Sequence, residues 1–258
     1  MKISREQKEL NRQKLLSVGV ELMRKVGLKE ATLRQIAQSA GFSEPVIYKY
    51  FPSKDHLLAA YFDEAMKRAI AQVETQADFA SISFIQQLHL LEDAVLAEYE
   101  PQKDFVKQAF QNLFLSGLAG SHGLLAENKR LFTSKVETWL TAAVAAGEFV
   151  NPPSVNILSE LLWDFNLGLT LYWLKDDSES SVRSLQLLDH SLGLINDLLK
   201  SNILGRVTDL LFFLAREHFM KSVDKLTELT HDQKNLKTRF FNTDGKKESG
   251  RKSPPKPT

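Results

Sequence analysis

TLRQIAQSAGFSEPVIYKYFPSK, residues 32–54, decides how the rest of the chain is read. Thr32 followed by Gln35 is a capping-box pair, in which each side chain satisfies a backbone N–H left open at a helix start. Leu33, Ile36, Ala37 and Ala40 recur at helical spacing, so one face of this helix is buried. Gly41 ends it, because glycine enters the left-handed region without steric cost. Ser43 stands at the cap position of a second helix, with Pro45 in its first turn, where a missing N–H does no harm. Val46, Ile47 and Phe51 anchor that helix inward, while Glu44, Val46, Tyr48 and Lys49 lie near its exposed N-terminal side. Pro52 stops it and Ser53 caps the next. The stretch predicts helix, tight turn, helix.

Outward from this motif the periodicity predicts only helices, so the expected fold class is all-α. Residues 5–26 form a first helix with Leu15, Leu16, Gly19, Leu22, Met23 and Val26 inward. Arg5, Lys8, Arg12 and Lys14 lie on it, either beside a polyanion or on a solvated face. A long fourth helix runs from Ser53 to about Gln76, its buried stripe including Leu57, Leu58, Tyr61, Phe62, Ala65, Met66 and Ala69. Further helices are expected over 81–99, 101–118, 125–146, 155–175, 179–200 and 203–222. GLAGSHG at 117–123 lacks the spacing of a phosphate-binding loop and follows no strand. From about residue 231 few apolar side chains remain, so that segment is expected to be mostly disordered. It either adds nonspecific attraction to a polyanion or solubilises the chain.

The net charge of +1 conceals an uneven distribution. Residues 1–56 carry 11 Lys/Arg against 6 Asp/Glu, residues 57–230 carry 14 against 23, and residues 231–258 carry 8 against 3. A basic head on an acidic body suits a protein whose head alone meets nucleic acid. The absence of cysteine excludes disulfides, cysteine-ligated zinc and thiol catalysis. No apolar run approaches the roughly 20 residues that span a bilayer, and MKISREQKEL has no apolar core of a signal peptide. A cytoplasmic protein without membrane attachment is expected. The Leu/Phe face of 203–222 with Arg206, Arg216 and Lys221 leaves a membrane-surface alternative, opposed by Asp209 and Glu217.

Thr32, Ile36, Ala37, Ala40, Gly41, Phe42, Ser43, Tyr48, Phe51, Lys54 and Leu57 together resemble the DNA-binding signature of the TetR family of transcriptional regulators. Pro45 stands where that signature commonly has glycine and Tyr50 where it has histidine, which puts in doubt any contact made through the amide at position 45. The resemblance implies a three-helix DNA-binding head at 1–54 and a larger helical ligand-binding and dimerisation body at 55–224; composition leaves 225–258 as a mostly disordered basic tail. It implies phosphate contacts from Thr32, Ser43, Tyr48 and Lys54. Glu44, Val46 and Lys49 are candidate base readers, with Pro45 and Tyr50 alongside.

Residues 155–175 and 179–200 are too apolar for a single buried stripe. With the resemblance, Leu158, Leu162, Leu169, Tyr172, Trp173, Leu185, Leu188, Leu192 and Ile195 become the expected homodimer interface; a purely intramolecular core is the alternative. Phe62, Met66, Phe105, Phe110, Phe114, Trp139, Phe149 and Phe165, with His89, Asn112 or Asn166 as polar groups, are candidates for an effector pocket, or else plain core. Enzyme chemistry finds little support. The six histidines have no metal-ligating spacing on one helix face, and no nucleophile elbow or dinucleotide fingerprint occurs. The adjacent acids Glu92–Asp93 and Asp176–Asp177 read as solvated. No cofactor, metal or catalytic residue is expected. The expected function is a homodimeric repressor released from a near-palindromic double-stranded DNA operator by a small, largely apolar effector; the alternative is a helical interaction module with a non-functional head.

Overall fold

The computed structural model describes residues 4–115, 123–149 and 154–201. Among them every regular element is helical. The expected helix 203–222, the tail and the 224/225 boundary lie outside the described residues, as do most of GLAGSHG and the side chain of Phe114.

The head is α1 (Arg5–Val26), α2 (Leu33–Ser39) and α3 (Glu44–Ile47). The Thr32–Gln35 capping box forms, with the Gln35 amide 3.2 Å from the Thr32 hydroxyl and the Thr32 amide 2.9 Å from the Gln35 carboxamide. Gly41, at φ 76°, closes α2 in the left-handed conformation the turn requires. Helix α3 is a single turn, and Ser43 occupies its cap position without a side-chain capping bond. Ile47 and Phe51 are buried, while Val46 is half-buried.

The body begins with α4 (Lys54–Glu74) and continues through α5 (Phe84–Tyr99), a 3-10 turn (Glu100–Gln102), α6 (Lys103–Leu115), α7 (Ala126–Ala145), α8 (Val155–Trp173) and α9 (Val182–Lys200). Two starts fall later than expected. Helix α5 begins at Phe84 because Ser83 and Gln86 form a second capping box, and Pro101 sits in the 3-10 turn ahead of α6 rather than inside it. Helix α4 is buried on all sides from Leu57 to Asp63 and on one face from there to Val73, leaving Lys67, Arg68, Ala71 and Gln72 to solvent. It packs on α1 of the head and on α5, α6 and α7 of the body. Its approach to α1 depends on Gly19, where an added Cβ would lie 2.9 Å from a Leu57 methyl. Arg12 of α1 meets Glu64 of α4 at 2.9 Å. Although burial alone raises the Glu64 pKa, hydrogen bonds from Lys67 and Arg12 hold it below the ordinary value.

Two carboxyl pairs depart from the expectation of solvation. Glu92 is only 1% exposed; one carboxyl oxygen accepts from Asn166 Nδ2 at 2.7 Å and the other has no partner. Asp176 is buried against Ser178 and Ser184, accepting from both hydroxyls. Adjacent residues on a helix point in different directions, so Glu92 of α5 turns inward while Asp93 pairs with His89 at 3.0 Å; Asp176 lies beyond the end of α8, in the connection to α9.

Burial pushes the Glu92 carboxyl up to about 8, outweighing the Asn166 hydrogen bond that lowers it. A folded-state pKa above the unfolded value favours folding at low pH and withdraws that contribution as pH rises from the ordinary 4.5 towards about 8. Glu92→Gln removes the ionisation but keeps the shape. Thermal midpoints measured against pH should therefore fall less steeply across this window in the variant than in the wild type.

Candidate nucleic-acid interface and ligand-binding body

The head presents a small exposed surface built around α3. Its apolar residues close the head core, leaving Ser43, Glu44, Pro45, Tyr48 and Lys49 facing solvent, with Val46 and Tyr50 half-buried beside them. The α2–α3 turn is held by backbone bonds from Phe42 N to Ala37 O at 2.9 Å and Gly41 N to Gln38 O at 3.1 Å. The position of α3 is thus set by main-chain geometry rather than by its own length.

Partners divide these residues into free and committed groups. Glu44 lies 3.6 Å from Arg34 of α2, both exposed. Arg34 was missed by sequence reasoning because its significance depends on α2 and α3 lying side by side. Tyr50 accepts from Asn11 Nδ2 at 3.4 Å. The Thr32 hydroxyl is engaged in the α2 cap. Lys54 turns back into the head, its ammonium donating to the carbonyls of Leu28, Lys29 and Ala31 at 2.6, 3.2 and 3.2 Å. It ties the α1–α2 connection to the start of α4. Arg12 and Lys14 are likewise drawn towards the aromatic rings of Phe51 and Phe42, at 5.6 and 5.5 Å from their centroids. Tyr48 and Lys49 are exposed and have no side-chain partner among the described residues.

In the body, Phe62, Met66 and Phe110 are buried together, with Phe62 and Phe110 in edge contact at 5.8 Å. Tyr99 packs against Phe62 at 5.6 Å. Trp139 is buried elsewhere, against Phe79 at 5.1 Å, and Phe165 is half-buried. His89 does not join the aromatic group. It lies on the outer side of α5 between Asp93 at 3.0 Å and Asp189 of α9 at 2.7 Å. Asn112 bonds Asp55 in the first turn of α4 at 2.7 Å, leaving Asn166, paired with Glu92, as the interior amide of the three.

Helices α8 and α9 have two apolar faces, and one is already covered. Leu158, Leu162, Leu169, Trp173, Leu188 and Leu192 are buried within the single chain, so they belong to its own core. Ile195 is half-buried, and Tyr172 and Leu185 are exposed. The second face of α8 carries Ile157, Leu161 and Tyr172, with Leu161 59% exposed. Leu194 of α9 is also exposed.

A closed three-helix head with a solvent-facing one-turn helix, joined to an all-helical body, defines a helix-turn-helix regulator. Residues 15–61 match the family described as bacterial regulatory proteins, tetR family, and residues 87–214 match the tetracyclin repressor-like C-terminal domain. The chain belongs to the TetR family: a transcriptional regulator with a DNA-binding N-terminal domain and a ligand-binding C-terminal domain. It is similar to an uncharacterized HTH-type transcriptional regulator, YfiR, of Bacillus subtilis (strain 168), 21% identical over 186 residues covering 70% of this chain and 88% of the relative. A TetR transcriptional regulator from Nitrosomonas europaea ATCC 19718 shares the fold at TM-score 0.51, with 23% identity over 71% of this chain and 96% of that one. Thermus thermophilus FadR, a TetR-family repressor solved with lauroyl-CoA, shares it at TM-score 0.57, with 19% identity over 70% and 92%. No helix among the described residues is long and apolar enough to cross a membrane.

Because the Lys54 ammonium is engaged with backbone carbonyls, Lys54→Met should lower unfolding free energy by about 2 kcal/mol, the scale of hydrogen bonds to a charged group. It should leave the salt dependence of DNA binding unchanged. Denaturant melts and binding at two salt concentrations check this, and a shallower salt slope would mark Lys54 as a phosphate contact instead.

Proposed function

We propose that the chain is a homodimeric repressor that binds a near-palindromic operator and is released by a small, largely apolar effector. The observation that carries the proposal is the exposed tip of α3, where Tyr48 and Lys49 have no side-chain partner among the described residues while Ile47 and Phe51 are buried beneath them. A buried recognition helix would have no access to base edges. Lys49 suits guanine, Tyr48 and Ser43 suit phosphates, and Arg34 beside Glu44 adds a cation next to the candidate readers.

The exposed apolar face of α8 and α9 supports dimerisation. Ile157, Leu161, Tyr172 and Leu194 together form the kind of surface that a second copy covers in a two-fold pairing. Two heads so related meet half-sites about one helical turn apart. The body, 55–224, would carry both this surface and the effector, around Phe62, Met66 and Phe110. The Thermus thermophilus relative was solved with lauroyl-CoA, whose acyl chain is apolar and whose coenzyme A part is polyanionic, so only the chain is in keeping with an apolar pocket. Binding weakens DNA affinity only as far as the effector prefers one dimer state over the other. Such a regulator acts in the cytoplasm, where bacterial DNA lies.

Footprinting the purified protein on DNA upstream of its own coding region, at low and moderate salt, tests the reading. A protected near-palindrome that persists as salt rises supports it; coverage that is uniform and vanishes with salt points to an interaction module instead. Lys49→Ala should cost about 1–3 kcal/mol and relax specificity at one base position, measured across single-base operator variants. Leu161→Glu should convert a dimer to a monomer in sedimentation and abolish protection of the paired half-sites.

A further inference from the structure

Between the C-terminal half of α1, the middle of α4 and the turn Glu100–Gln102 lies a cleft of about 660 Å³. A second, of about 560 Å³, lies alongside it near the start of α6, and Arg24 and Gln102 line both. Phe62, Met66 and Phe110 of the body centre line neither cleft, but Phe105 lines the second, and Tyr61, which lines the first, packs edge-on against Phe62 at 5.4 Å and Phe105 at 5.2 Å. The clefts and the body centre are neighbours that share this aromatic wall.

The first cleft has an apolar wall from Leu16 and Val20 and several unanswered polar groups. Tyr61 is 5% exposed, yet its hydroxyl has no hydrogen-bond partner. A buried donor without a partner is costly and rare in a native structure, and calls for a missing acceptor. Burial, aided by the Glu98 charge and opposed by Arg68 and Arg24, pushes the pKa of this hydroxyl up to about 12, so it remains a donor at neutral pH. The Gln102 carboxamide oxygen is also buried and unpartnered. Arg24, exposed on α1, has no side-chain partner among the described residues.

The charged lining of this cleft, Glu21, Glu64, Arg24 and Arg68, balances in sign, and the pairing of each decides which one can meet a guest. Arg68 reaches Glu98 through Nε and one terminal nitrogen, leaving its other terminal nitrogen outside that pair. Glu64 is held by Arg12 and Lys67. Glu21 is exposed and is not among the charges acting on Tyr61. An acceptor beside the Tyr61 hydroxyl therefore meets a buried donor and an unpaired guanidinium, with hydrocarbon on one side.

We propose that this head–body cleft binds a small anionic amphiphile, a carboxylate on a short hydrocarbon chain. The carboxylate accepts from the Tyr61 hydroxyl and the Arg24 guanidinium, and the chain lies against Leu16 and Val20. Such a guest touches head and body helices at once, so it biases their relative placement to the extent that its affinity differs between arrangements.

The test is isothermal titration of the full chain with sodium octanoate at fixed ionic strength, with 1-octanol and inorganic phosphate as companion probes. Octanoate should bind saturably, one per chain, while octanol and phosphate bind far more weakly. Arg24→Gln should weaken octanoate roughly tenfold and Tyr61→Phe roughly fivefold, as expected for one charged and one neutral hydrogen bond. Phe110→Leu, in the body centre, should leave its affinity unchanged. Arg24 is exposed and Tyr61→Phe removes only a hydroxyl, so folding is checked by circular dichroism melts. Absence of octanoate binding, or binding indifferent to both cleft variants, overturns the proposal. Loss only in Phe110→Leu places the guest in the body centre, and phosphate binding as tightly as octanoate reduces the cleft to a plain anion site; either outcome also overturns it.

Discussion

Helix α4 buries every residue from Leu57 to Asp63 and keeps a solvent stripe in its second half, at Lys67, Arg68, Ala71 and Gln72, and the arrangement of its neighbours follows from that constraint. Leu57, Leu58, Phe62, Ala65, Met66, Ala69 and Val73 are all essentially inaccessible. Burying one such large side chain is worth roughly 1.5–3 kcal/mol, so the sum greatly exceeds what any ion pair along the helix contributes. To satisfy that demand, α1 must pack on one side and α5, α6 and α7 on the others. Gly19 permits the α1 side of this packing by leaving room for Leu57. The head is therefore an extension of the body core rather than a separate bead on a linker.

Polar groups then fix what the apolar packing leaves loose. Arg12–Glu64 joins α1 to α4, and Asn112–Asp55 joins α6 to the first turn of α4. Lys54 joins the same turn to the carbonyls after α1. These contacts converge on the segment between recognition element and body, the place where a change in helix placement is transmitted most directly to α3. Removing one partner of such a group leaves another polar atom in need of one, so geometry here is more sharply defined than burial alone would make it.

The interior also contains groups that resist simple packing. Glu92 and the Tyr61 hydroxyl are buried with incomplete hydrogen bonding, a combination that opposes stability and is seldom kept without a reason. They lie at different places, one bonded to α8 through Asn166 and the other on the α1-facing cleft. Regions with incompletely satisfied interiors open locally at a lower free-energy cost than the fully packed core.

Local chemistry made much of this protein legible in its sequence. Capping boxes, the glycine at position 41 and the spacing of apolar residues act within a few positions along the chain. The sequence alone therefore determined the all-α class, the helix-turn-helix and the approximate helix limits. The inward face of each strongly apolar helix was not determined in this way. Leu158 and Leu161 are both compatible with helical periodicity, and only packing against α7 and α9 covers the first while leaving the second open. The same holds for charge: Lys54 looks available until three backbone carbonyls from a distant turn surround it, and Glu92 looks solvated until α8 brings Asn166 to it. Tertiary structure decided these matters because a side chain's partner there lies tens of residues away, where no local periodicity reaches.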